Sequence, residues 1–186
     1  MNLFSTRFLL LFLLIAVIIG GCENDINTVK NFNKKTVQVE EGKNINAIYT
    51  TAGNLKSILK APVMLRYIID SPYIEFPKGI HVDMFRDSII VESVVIANYC
   101  KYLESQSKVY MRDSVRVTNL TGDTLWCRDM WWDQQKKIFY SDNKVRLFQK
   151  LANQRIVGTG FVATQDLNKW VINTPVGTMD FPKEMR

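Results

Sequence analysis

The chain has 186 residues, with 24 lysines and arginines against 18 acidic residues, one histidine and three cysteines, for a formal charge of +6. Hydrophobic residues make up 47%, too many for a disordered chain, and the length suits one domain with its own core. A lone histidine excludes a centre built on several imidazoles, and the modest basic excess by itself selects no partner, nucleic acid included.

The first element is a leader. Arg7 and the amino terminus give it a positive start, and residues 8–19 are apolar without interruption. A membrane-spanning helix needs roughly 20 such residues, so this run is short for a permanent span. Gly20 and Gly21 supply small side chains where a signal peptidase grips the backbone, and Cys22 follows at once. "IIGGC" resembles a bacterial lipobox, whose cysteine sulfur takes a diacylglyceryl group. Two or more acyl chains hold a protein stably where one holds it marginally. The expectation is a lipoprotein signal peptide over residues 1–21 and an acylated Cys22 that tethers the chain to a membrane. The simpler reading is an ordinary signal peptide followed by a chance cysteine. An exported chain meets anionic headgroups and glycans, not nucleic acid.

Residues 22–44 read as the anchor and a polar tether rich in Asn and Lys, with one short strand at "TVQVE". From Ile45 to the end, residues 45–186, the pattern has period two. "ILKAPVMLRY" puts Leu59, Ala61, Val63, Leu65 and Tyr67 on one parity. "VYMRDSVRV" does the same for Val109, Met111, Val115 and Val117. "SIIVESVVIANY" is the window most ambiguous between strand and helix. Turn signals recur at short intervals, among them "PKG", "TGD" and "SDN". Short strands joined by polar turns predict an all-β domain.

The pattern also repeats. "KVYMRDSVRVTN" is followed by "KIFYSDNKVRLFQ", and "KWVINTPVGTM" starts a further copy, so that Val115, Val145 and Val176 recur about every 30 residues. Each unit holds two strands, which describes stacked strand-turn-strand units. Ile138 and Tyr140 have the opposite parity from Val145 and Leu147, and a one-residue bulge at Asp142-Asn143 would bring them to a common face. Two cysteines remain past the leader. Cys100 and Cys127 fit either a disulfide, which export permits, or two small buried residues.

The repeat cores "SKVYMRDSVRVTN" and "KKIFYSDNKVRLFQ", the following "RIVGTGFVAT" and the leading "ANYCKYLESQSKVY" resemble the LptC-like family, periplasmic lipopolysaccharide export components related to the OstA-type β-jellyroll proteins. The resemblance covers roughly residues 45–180. It implies an elongated, twisted, partly open β-jellyroll whose greasy interior holds acyl chains. It implies further that open edge strands pair with a periplasmic bridge protein of OstA-like fold, and that lipopolysaccharide arrives from an inner-membrane ABC transporter. It places the chain in the periplasm and favours the inner membrane for the anchor. Many members use an uncleaved N-terminal helix where this sequence offers Cys22. On this reading the lipid-binding surface is the inward parity: Val109, Met111, Val115, Val117, Ile138, Tyr140, Val145, Leu147 and Phe161. The competing reading is a filled core in a structural envelope lipoprotein. Trp131 and Trp132 are sequence neighbours in a strand context, so one of them should be exposed or at an interface.

No catalytic signature is present: no G-x-S-x-G, H-E-x-x-H, Walker loop or C-x-x-C. His81 and Asp83 share a strand face but make neither a metal site nor a triad, and no cofactor is implied. "NLT" at 119–121 matches a glycosylation sequon, and "DSI", "DSV" and "DTL" resemble a short O-glycan acceptor motif. Asp-Ser is also a common turn opener.

Overall fold

The computed structural model describes residues 38–87 and 89–178. The leader, Cys22, the first part of the tether and the serine of "DSI" lie outside these residues. Everything described is strand or turn, apart from one 3-10 turn at Glu104–Gln106. The strands are β1 (Gln38–Thr51), β2 (Asn54–Ile68), β3 (Tyr73–Phe76), β4 (Ile80–Phe85), β5 (Val91–Ala97) and β6 (Tyr99–Leu103). They continue with β7 (Lys108–Asn119), β8 (Thr124–Asp133), β9 (Ile138–Gln149), β10 (Gln154–Thr164), β11 (Trp170–Ile172) and β12 (Val176–Thr178). All belong to one antiparallel sheet of 12 strands. Residues 38–44, expected in the tether, are already paired in β1. The ambiguous window is β5, where Ser93, Val95 and Ala97 are buried on one parity.

The pairing resolves into a plain meander. β3 and β4 lie end to end along β2, and β5 and β6 lie end to end along β7. β11 and β12 do the same along β10. Two of these interruptions fall where the neighbouring strand bends, in β7 and in β10. Asp113 and Ser114 in β7 both take left-handed backbone, and the Asn98 amide, between β5 and β6, donates to the Asp113 carbonyl at 3.0 Å. Arg112 opposes Asp129 and Val115 opposes Cys127, so β7 carries one residue more than β8 across the bend. β9 likewise carries one extra residue against both β8 and β10. Such bulges kink a strand and raise its twist. At the turn between β3 and β4 only glycine fits, because Gly79 has φ 85° and a Cβ there would lie 2.6 Å from the Ala97 carbonyl oxygen.

The bends form a crease that divides the sheet into two layers. The front layer holds β3, β6, residues 108–112, 129–133, 138–141 and 161–164, and β11. The back layer holds β4, β5, residues 115–119, 124–127, 144–149 and 154–159, and β12. Both bury the same face into one apolar cluster. Their far rims are clasped by Asn119, whose Nδ2 donates to the Asp166 carbonyl at 3.2 Å. The turn carrying Asp166 also turns Leu167 into the core. This is the twisted, partly open β-jellyroll of repeated strand-turn-strand units.

Candidate functional site

The space between the layers is the site on which the sequence expectations converge. Val109, Met111, Val115, Val117, Val145, Leu147 and Phe161 all point into it and are buried. Ile138 and Tyr140 do not. Phe139 and Ser141 are the buried residues of that stretch, leaving Ile138 and Tyr140 half-buried on the outer face. The expected bulge is present, but residues 142–144 are all exposed and burial resumes at Val145 on the unchanged parity. The Asn143 amide donates to Ser141 Oγ at 3.1 Å, closing the bend over a polar side chain. Continuing the odd parity of Val145 and Leu147 backward would have found Phe139.

At its centre the interior is close-packed: Val117, Met130 and Phe139 are 0% exposed. Toward β1 and β2 it is not. Ile45, Leu59, Met64, Ile74 and Tyr102 pack against the core yet remain partly open. β1 is exposed along most of its length, with Ile48 and Tyr49 in solvent. Here the apolar cluster is only partly covered. Burial holds the Tyr102 phenol above its ordinary value, with the Glu104 carboxylate adding to the effect. Tyr102 is therefore a neutral, amphipathic residue at that partly covered end. At the other end Trp132 faces inward against Phe139, ring centroids 6.0 Å apart. Its Nε1 is buried and finds no acceptor among the described residues. Trp131, on the outer face, lies against Tyr110 at 5.0 Å. Both tryptophans are half-buried, so the expectation that one stands exposed is met only in their opposite directions.

Cys100 and Cys127 are free and buried. Cys100 opposes Met111 from β6 and Cys127 opposes Val115 from β8, with β7 between them. Two ladder spacings separate their backbones by about 10 Å, beyond the roughly 7 Å limit for a disulfide. Burial pushes both thiols up from their ordinary value, which keeps them inert.

His81 Nε2 lies 2.9 Å from Asp83 Oδ1 on the outer face. Among the described residues no group of three or more His, Cys, Asp or Glu could hold a metal ion. Asn119 of "NLT" is buried with both ends of its amide engaged. Its Oδ1 accepts from the Asp123 amide and the Thr121 hydroxyl, each at 2.8 Å, so the folded chain does not present it as a glycan acceptor.

The model of the family described as "Lipopolysaccharide-assembly, LptC-related" matches residues 8–178. The chain belongs to this LptC-related family. No curated protein matches the sequence. The match begins in the apolar run at Phe8 and takes in every described strand. The family's role is in lipopolysaccharide transport and assembly at the cell envelope. Among the described residues of this LptC-related chain no helix is long and apolar enough to cross a membrane.

Proposed function

We propose that the chain is a membrane-anchored carrier that takes lipopolysaccharide acyl chains between its two layers. On this reading an acylated Cys22 holds it to the inner membrane. It accepts lipid from an ABC transporter, which supplies the energy, and passes it to a periplasmic bridge protein of the same fold. The observation that carries the reading is the apolar interior left only partly covered at Ile45, Leu59, Met64, Ile74 and Tyr102. Burying acyl chains there removes apolar area from water at about 25 cal/mol per Å2, a driving force for holding a lipid in an aqueous compartment. β1 supports the hand-over. Among the described residues it pairs only with β2, and its 14 residues leave one edge free to accept a partner strand.

Photo-crosslinking in cells tests this, with the probe at Leu59, Met111 and Phe161 in turn, and at Tyr140 and Glu40 as outward controls. Lipopolysaccharide adducts at the inward positions alone support a conduit. A second reading, a structural envelope lipoprotein with a filled core, is favoured by the close-packed centre. No adduct at any inward position in a folded, anchored protein would establish that reading instead.

A further inference from the structure

Three turns meet at the back rim: residues 86–90 between β4 and β5, 120–123 between β7 and β8, and 150–153 between β9 and β10. The Leu120 amide donates to the Glu92 carbonyl at 3.0 Å, and the Lys150 amide to Asp123 Oδ1 at 2.8 Å, so the three are contiguous. Each presents a large aliphatic side chain to solvent. Ile89 is 87% exposed and Leu151 86%, the highest values among the described large hydrophobic residues, and Leu120 is 60% exposed. Ile90 stands beside them, 41% exposed. Nothing in the fold requires aliphatic residues at these tips. The corresponding turns of the front rim, at 104–107, 134–137 and 165–169, carry Ser, Gln, Lys and Asn in solvent, and the one leucine there, Leu167, is turned inward.

The second observation is charge. Along the outer face of the back layer, Arg116, Trp126, Arg146 and Val157 oppose one another across β7 to β10, with Phe148 and Arg155 in the next row toward the rim. Arg116, Arg146 and Arg155 pair with no carboxylate among the described residues. They lie instead over aromatic rings or against aliphatic neighbours. Arg146 sits 5.5 Å from the Trp126 ring centre and Arg155 5.7 Å from that of Phe148. Two shallow depressions, of about 810 and 440 Å3, open on this face, lined among others by Trp126, Arg146, Phe148 and Arg155. The acidic groups of the rim are otherwise occupied or few. Glu92 pairs with Arg86 at 3.2 Å, Asp123 and, across the clasp, Asp166 are held by their own turns, and Asp87 lies beside the tips.

We propose that this rim docks on an anionic lipid bilayer, the aliphatic tips entering the headgroup region while Arg116, Arg146 and Arg155 meet lipid phosphates. Aliphatic tips on hairpin turns, backed by unpaired cations and by Trp126, an aromatic with a polar edge, suit a bilayer interface. Charge complementarity selects the anionic surface, since each basic residue near such a surface adds attraction that fades within a Debye length.

The test uses the full chain reconstituted into nanodiscs of phosphatidylcholine with or without phosphatidylglycerol. A polarity-sensitive fluorescent amino acid is placed at position 151, and at position 53 in the β1–β2 turn as a control. The expected result is a blue shift at 151, with quenching by lipid-borne quenchers, in the anionic discs only, and none at 53. In the triple variant R116Q/R146Q/R155Q the ratio of docked to free rim should fall roughly a hundredfold, with the circular dichroism spectrum unchanged. A probe at 151 as solvated as that at 53 in anionic discs would overturn the proposal. So would equal insertion in neutral discs, or shielding of position 151 that appears only when an envelope protein is added.

Discussion

The outer faces of the two layers differ in chemistry although the layers share one core. On the front, three cations have a carboxylate partner: Lys101 meets Glu75 at 3.8 Å, Arg66 meets Glu104 at 3.3 Å and Arg112 meets Asp113 at 2.6 Å. The Tyr99 hydroxyl donates to Glu75 at 2.8 Å, and Tyr67 stacks on Tyr73. On the back, Arg116, Arg146 and Arg155 have no described carboxylate partner. Exposed ion pairs contribute about 0–1 kcal/mol, so neither arrangement decides whether the chain folds. The difference instead concerns what each face meets. An arginine already paired with a carboxylate has less to gain from an outside counter-charge, whereas the three arginines of the back face remain available to an anionic one.

The shared core can be broken most sharply at Phe139. Phe139→Ala should cost about 3–5 kcal/mol in urea denaturation, because a fully buried ring leaves a cavity. Tyr140→Ala, one residue away on the outer face, should cost less than half as much. Equal losses would mean that the parity of β9 is misassigned.

The next effect comes from the clasp between the rims. Asn119→Ala removes the bond to the Asp166 carbonyl and leaves the Asp123 amide without its acceptor, for a loss of about 1–3 kcal/mol. Hydrogen exchange should rise at residues 164–169, on the far layer, as well as around residue 119.

Asp166 sharpens the same point through pH. Burial alone would raise its carboxyl, but hydrogen bonds from the Thr164 hydroxyl and from the Asn168 backbone and side chain outweigh that and hold it below its ordinary value. The folded carboxyl thus binds its proton less tightly than the unfolded one. Its contribution is complete above about pH 4 and fades as pH falls through the lower folded value. Asp166→Asn should flatten that acid limb of a stability–pH profile.

The smallest effect expected is at Trp132. An indole N–H buried without an acceptor is a cost that phenylalanine does not carry, so Trp132→Phe should be neutral or stabilising by about 1 kcal/mol in thermal melts. A loss well beyond that would mean that the indole has a partner in solution.

Much of this molecule is written in its sequence. Period-two patterning with polar turns determined the all-β class. The 30-residue repeat determined the two-strand unit, because every second strand, β7 then β9, presents the same buried pair across its bend. Seven of the nine proposed lining residues follow from parity alone. What parity could not supply was the effect of a bend on it. In β9 the residues at 142–144 are spent on the bulge and burial resumes unchanged, so Phe139 and not its neighbours faces the core. Tertiary structure alone also decided that Cys100 and Cys127 stand on opposite sides of β7. It decided as well that Asn119 reaches across to Asp166, and that Ile89, Leu120 and Leu151 share one rim. Local patterning reports which face of a strand a side chain takes. Proximity between residues far apart in the chain comes from register, twist and the crease, which no short window of sequence contains.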